Sequence, residues 1–493
     1  MTLSCGSTAF AAVFEHNIDD GDLKVTSDNC NADGYLVYSL SGHKSNHKII
    51  VNGAKTTITL DSVKIETTDG KSAIDIGDDA DVELIISGVN SLTVNNTVTG
   101  YGTDAGIHIS GGSLTISGTD ADDDTLVINT GLNGAAIGSN GVDPNFDKTW
   151  GEDFTGTIVI DSGVTVNANS KYASGIGSGS MADMSGEITV NGGTVNTNSE
   201  WASGIGSGVR GKMSGDITVN GGTVNANCVY DSSGIGSGYH GEMNGDITIN
   251  GGDITAKSEH YGAGIGCGAS GDMSGTITIN GGNVIAESGY DGAGIGTGDA
   301  NFGEKIYDMS GQININGGIV TATSANGQVG IGAGSGSIAS GDITIHGDTV
   351  ITLGDDNAIG AKGESEGTIY IYKGAVINGI TVSDSDELKD AGILNDNMGA
   401  EIVENTSTYS LGKLNNVSRI NAAKAGDTVY VYESELSKGK LPYYVLEALA
   451  KSDNVTLVVV GENGETAEIK SSSVPEKGKN AFFTIDELLE MVK

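Results

Sequence analysis

The feature that most restricts what this chain can fold into is its self-similarity. MSGEITVNGGTV from Met184 returns as MSGDITVNGGTV from Met213, MNGDITINGGDI from Met243, MSGTITINGGNV from Met273 and MSGQININGGIV from Met309, in steps of 29, 30, 30 and 36 residues. A second motif runs in phase with the first: SGIGSG around Ile176, Ile205 and Ile235, GAGIG around Ile265 and Ile295, and GIGAG around Ile331. Weaker copies surround Ile74, Ile107, Ile137 and Ile359. A unit of about thirty residues cannot bury its own apolar face, so it must stack on its neighbours.

Within each unit the apolar period is two. Ile188 and Val190 alternate with Thr189 and Asn191, and the pattern returns at Ile217/Val219, Ile247/Ile249, Ile277/Ile279, Ile313/Ile315 and Ile343/Ile345. These are strands with one buried face. Each unit holds three of them, the ITVN type, the TVNA type after Gly-Gly, and the short GIG, so the reading is an all-β parallel β-helix with one coil per repeat. About ten coils run from Ile74 to Ile359, a rod about 50 Å long at a strand spacing of about 4.8 Å. The 79 glycines in 493 residues then have a geometric cause, because Asn-Gly-Gly corners need positive φ and a Cβ beside the buried Ile would clash.

Lys plus Arg number 25 and Asp plus Glu 64, a formal charge of −39. Such a chain presents no basic face and is not read as a nucleic-acid binder. No window approaches about 20 consecutive apolar residues, so no transmembrane segment is read. Cys5, Cys30, Cys228 and Cys267 show no CxxC spacing and read as small fillers rather than zinc ligands or a disulfide framework. Residues 1–16 read as a signal-peptide remnant or a disordered N-terminus, on the A-x-A pattern Ala9-Phe10-Ala11. A secreted or cell-surface location is therefore expected. Residues 17–383 form the β-helix with its N-terminal cap, 384–424 a linker or transition, and 425–493 a small α/β domain with a helix from Pro442, strands NVTLVVVG and TAEIK, and a terminal helix IDELLEMVK.

The pairing of ITINGG with GAGIG at a thirty-residue step over residues 45–380 resembles a group of secreted repeat proteins of anaerobic and gut bacteria, commonly described as carbohydrate-binding. The resemblance implies a right-handed parallel β-helix with an architecture like that of polysaccharide lyases. Its motifs are structural glycines and core Ile, so it implies fold more specifically than activity. The C-terminal segment also resembles an accessory module of clostridial surface proteins, which implies a cell-surface partner for that domain.

In a stacked repeat, equivalent residues form columns along the rod. Tyr172, Trp201, Tyr230, Tyr261 and Tyr290 lie four or five residues before the buried Ile of their units and are the candidate carbohydrate-binding ladder. The alternative is that these rings only shield the corner of the coil. Carboxylates precede the first strand at Glu187, Asp216, Asp246 and Asp342, and stacked like charges repel unless cations separate them or they splay into water. Calcium is the natural cation in an extracellular acidic protein, with Asp120, Asp122, Asp123, Asp143 and Asp147 as its candidate ligands, although none matches a known calcium-loop spacing. The Asn column (Asn191, Asn220, Asn250, Asn280, Asn316) and the Met column (Met184, Met213, Met243, Met273, Met309, with Phe154) read as structural.

The favoured function is polysaccharide binding without turnover, and no catalytic residue is assigned. A calcium-dependent lyase or hydrolase on the same scaffold is the competing class, with Arg210, Lys171 and Lys212 as the basic residues near one another in the repeats. GIGSG is not a GxSxG nucleophile elbow, because the order differs and no strand-to-helix turn follows. The third class is a structural stalk with recognition in the C-terminal domain.

Overall fold

A computed structural model describes residues 13–403 except 41–43, 69, 96–103, 120–122, 144–149, 301–304, 327, 347–348, 355–357, 364 and 395–396, and beyond them 420, 428–432, 440–452, 454–460, 466–474 and 482–491. Most of the expected N-terminal remnant, through residue 12, lies outside the described residues, as does Cys5. The architecture is a right-handed parallel β-solenoid of about 12 turns with very little helix. From Lys55 onward the regular coils run through three sheets in the same order, as Ile217–Val219 in sheet A, Thr223–Cys228 in sheet C and Ile235–Gly236 in sheet B. Sheets A, B and C hold 14, 12 and 12 strands.

The rod exceeds the ten coils counted from the GIG motif. Leu23–Thr26 and Ile49–Asn52 already pair in sheet B, though both lack the flanking glycines that make the motif visible. Phe14–Asn17 pairs with Tyr35–Tyr38 as the first strand of sheet A, and its first three residues belong to the stretch read as an N-terminal remnant. At the other end Gly399–Val403 pairs with Thr368–Tyr372, and Leu388 of the helix Ser385–Asp390 is buried in the same core as the coils. That core is continuous from Ile18 to Met398 and takes the alternate residues of the longer strands of the coils. Met184, Met213, Met243, Met273 and Met309 with Phe154 line up through single bridges and are fully buried, as expected for a core column.

The SGIGSG motif is explained by coil-to-coil contact. Ile205 N–H donates to the Gly234 carbonyl at 3.1 Å, and Ser207 N–H to the Gly236 carbonyl at 3.1 Å. Gly206 sits between them at φ 134°, and a Cβ there would lie 1.9 Å from the Gly236 oxygen. The serines work within the same turn. Ser207 Oγ donates to the Gly211 carbonyl at 2.7 Å and accepts the Gly238 N–H of the next coil at 3.0 Å. Free Cys267, fully buried, takes a serine place in this column, and burial pushes its thiol up to about 12.

Three of the carboxylates before sheet A, Glu187, Asp216 and Asp246, are exposed to solvent, and acids of this column also bind backbone amides. Asp216 accepts the Asp246 N–H at 2.9 Å, Asp246 the Thr276 N–H at 2.7 Å, and Asp342 the Thr368 N–H at 2.9 Å. Each acid satisfies an amide of the next coil, a charge-assisted bond that offsets the repulsion along the column. The Asn column behaves as expected, with Asn220 donating to Asn191, Asn250 to Asn220, Asn280 to Asn250 and Asn316 to Asn280, each at 2.8 Å.

One ion cluster pins the insertion between two coils. His108, outward on sheet B, contacts Asp75 through Nδ1 at 2.7 Å and Glu152 through Nε2 at 2.9 Å, and Asn140 also donates to Glu152 at 2.9 Å. Burial alone would lower the imidazole pKa, but the two carboxylates outweigh it and raise it from 6.5 to about 9. Both carboxylates are held below their usual range by hydrogen bonds from His108.

Beyond residue 425 the described strands are Thr428–Tyr432 parallel to Thr456–Val460, which pairs antiparallel with Thr466–Lys470. The helices are Tyr443–Lys451 and Ile485–Met491, and Lys440–Pro442 pairs antiparallel with Phe482–Thr484. Leu441, Val445, Leu449, Leu457, Ile469 and Leu488 belong to a second core.

Three outcomes are expected from these contacts. Gly206→Ala destabilises the solenoid by on the order of 3 kcal/mol, or prevents folding, in denaturant melts, because the opposing atom is backbone. Thr197, fully buried with no partner for its hydroxyl, occupies a place filled by Ala168, Ala226, Ala256 and Ala286 in neighbouring coils. Thr197→Ala should therefore stabilise by about 1 kcal/mol. For His108 the folded pKa lies above the unfolded one, so its stabilisation is complete below about pH 6.5 and is lost as pH rises through about 9. With screening at the half-exposed carboxylates this amounts to roughly 2 kcal/mol, and thermal melts from pH 6 to 10 should fall more steeply for the wild type than for His108→Gln.

Candidate functional site

The outward side of sheet C carries two further amide ladders, built by the same alternation that buries Val224 and Ala226. Asn196 donates to Asn167 and Asn225 to Asn196, both at 2.8 Å. Two residues on, Asn169 donates to Asn129 and Asn198 to Asn169 at 3.0 Å, and Asn227 to Asn198 at 3.3 Å. The interior amides Asn196, Asn169 and Asn198 each spend one N–H and one lone pair on their neighbours in the ladder and have one N–H and one lone pair beyond those bonds. A third column, Thr165, Thr194 and Thr223, runs beside them in register.

The aromatic column follows directly along the chain. Tyr172 stacks on Trp201 with centroids 6.2 Å apart and planes at 27°, and Trp201 on Tyr230 at 4.1 Å and 24°. The next ring is His260, edge-on to Tyr230 at 5.0 Å and to Tyr290 at 5.1 Å. Tyr261 lies one residue beyond, 6.1 Å from His260 and 5.2 Å from Tyr290. The structure therefore brings all five expected rings together and adds His260 as a member of the stack. Strand register explains the difference. Ser170, Ser199, Cys228, Ser258 and Ser288 pair in sequence, and the residue two beyond each is Tyr172, Trp201, Tyr230, His260 and Tyr290. Counting back from the buried Ile misplaces His260, because one residue is added between that strand end and the Ile from Cys228 onward. Counting forward from TVNAN-type strands would have found it.

Stacking also sets what the rings offer. Tyr172, Trp201 and Tyr230 turn their faces along the rod towards one another, and their edges and polar atoms remain for contact from outside. The rings are half-buried except Tyr290, which is 41% exposed. Acids border the column. Trp201 Nε1 donates to Glu200 at 3.2 Å, Glu200 lies 3.6 Å from Lys171, and Asp231 lies 4.0 Å from His260. Burial raises the Asp231 pKa, which His260 and the Tyr261 amide partly counteract.

Of the candidate calcium ligands, Asp120, Asp122 and Asp147 lie outside the described residues. Asp123 is exposed, and Asp143 is buried and already partnered. Their neighbour Asp124 is occupied by protein donors, accepting the Gly88 N–H at 2.8 Å and the Thr119 N–H and hydroxyl at 2.6 Å each. Among the described residues no group of three or more His, Cys, Asp or Glu is placed to hold a metal ion. No helix among them is long and apolar enough to cross a membrane.

Residues 188–209, 217–239, 247–269, 277–299 and 313–337 each match a family model described as a beta helix repeat. No curated protein and no solved structure matches the chain. The matched segments each begin at the first buried Ile of a sheet A strand and pass through the GIG strand, so they coincide with the observed coils. Sequence match and fold agree that this is a parallel β-helix repeat protein.

Proposed function

We propose that the solenoid is a carbohydrate-binding protein, secreted or displayed at the cell surface, that holds an extended polysaccharide without turning it over. The observation that carries this reading is the juxtaposition on one side of the rod of amide ladders and a column of stacked rings. Amides and phenols exchange hydrogen bonds with sugar hydroxyls, and ring edges supply apolar contact to C–H groups. The coils of Tyr172, Trp201 and Tyr230 carry both groups at a spacing of about 4.8 Å, and the rings continue on the next two coils, so a polymer lying along the rod gains affinity from several weak contacts. The net negative charge keeps such a rod soluble and monomeric. Calcium enters this reading as a bridging cation between acidic side chains and ligand.

The test is retention of the full chain on a panel of insoluble plant and microbial polysaccharides, with calcium and with chelator, beside a Trp201→Ala/Tyr230→Ala double variant. Retention without new reducing or unsaturated ends is expected, weakened about tenfold in the variant, which should melt close to the wild type because both rings are half-buried surface groups. Unchanged retention in the variant would remove the ladder from the site, and absence of retention on every polymer would overturn the reading. New chain ends would make the protein an enzyme.

A further inference from the structure

Between residues 157 and 345 the chain has five basic side chains, Lys171, Arg210, Lys212, Lys257 and Lys305. The four lysines are paired, with Glu200 at 3.6 Å, Glu242 at 2.8 Å, Glu259 at 3.8 Å and Asp272 at 2.7 Å. Arg210 is exposed and makes no ion pair with any described residue. A guanidinium with no acidic partner among the described residues is conspicuous in a chain with 64 acidic residues.

The backbone there is also in an uncommon conformation. Met181, Arg210, His240 and Ser270 have φ of 60°, 62°, 59° and 59°. Their N–H groups donate to the carbonyls of Val209, Tyr239, Ala269 and Asp299 on the next coil at 2.8–3.0 Å, so they form one column of left-handed turns. Non-glycine residues cost about 1 kcal/mol or more in that region. Glycine is plentiful elsewhere in this chain, yet Arg and His stand on adjacent coils.

This column is joined to the aromatic one. The Tyr239 ring lies 3.9 Å from the His240 ring. Tyr239 N–H donates to Ser232 Oγ at 2.6 Å, and Ser232 donates to the Trp201 carbonyl at 2.6 Å. Val209 N–H reaches the Tyr172 carbonyl at 3.5 Å. Burial and then the nearby Asp231 raise the Tyr239 pKa, so its phenol stays a proton donor, and burial and then Arg210 lower the pKa of His240.

We propose that Arg210, with Tyr239 and His240, forms an oxyanion subsite beside the aromatic ladder, and that the glycan held there carries sparse acidic substituents, carboxylate or sulfate ester. The inference rests on the glycan-binding reading and names its ligand class. A guanidinium fork matches the oxygens of either group. The substituents are sparse because a net charge of −39 repels a dense polyanion, whereas attraction to one arginine acts within a Debye length of about 8 Å.

Arg210→Gly is the informative variant, since glycine is favoured at φ 62° and the variant should melt at or above the wild-type temperature. Methyl glucuronoside, glucose 6-sulfate and neutral methyl glucoside are titrated into the full chain, followed by the ring-proton shifts of His240. A saturable shift with one or both anionic probes and not with the neutral one is expected, with about tenfold weaker binding in Arg210→Gly, and the responding probe identifies the substituent. Equal response to all three probes, or no change in Arg210→Gly, overturns the subsite while polymer retention on the ladder can still stand. An anion response without retention on any polysaccharide overturns the assignment of that anion to a glycan.

Discussion

The backbone hydrogen bond from coil to coil at the glycine column is the contact on which the rest of the structure depends. Where Ile205 and Ser207 donate to Gly234 and Gly236, the chains approach so closely that no side chain fits between them. The turn is therefore made of glycine, the buried Ile is the only large group it presents to the core, and neighbouring coils are held in fixed register. Once register is fixed, every outward residue faces its equivalent one strand spacing away. Ladders of like residues follow from that geometry alone.

Ladders bring chemical conflicts, and the chain resolves them with backbone groups. Stacked carboxylates at Asp216, Asp246 and Asp342 accept amides of the following coil, and stacked serines donate within their own turn while accepting from the next. Stacked asparagines satisfy one another. An acidic chain can thus be built into a rod whose columns are internally compensated, leaving amides, ring edges and Arg210 on its outward side.

Much of this was legible in advance. The period-two alternation of Ile217/Val219 and the thirty-residue step lead to stacked parallel strands, because stacking unit on unit buries those faces. The Met and Asn columns were readable for the same reason. Two coils near the N-terminus were not, since Leu23–Thr26 and Ile49–Asn52 pair in sheet B without its glycines. The aromatic column was legible as a group of rings but not as a stack. A one-residue change in turn length puts His260 in line with Tyr230 and moves Tyr261 aside, and turn length has no signature of its own in an alignment made on the buried Ile.

By itself the sequence determined the repeat length, the strands, their buried faces and the fold class, because periodicity and the steric need for glycine are properties of the chain read along one dimension. Only the tertiary structure decided which residues from different coils meet. That Asp216 holds an amide of the next coil, that His108 is clamped between Asp75 and Glu152, and that Arg210 alone among the basic residues of the regular coils has no described acidic partner depend on distances across coils. Hydrogen bonds and charges act over a few ångströms in space, and the residues that share them here lie about thirty or more apart in the chain.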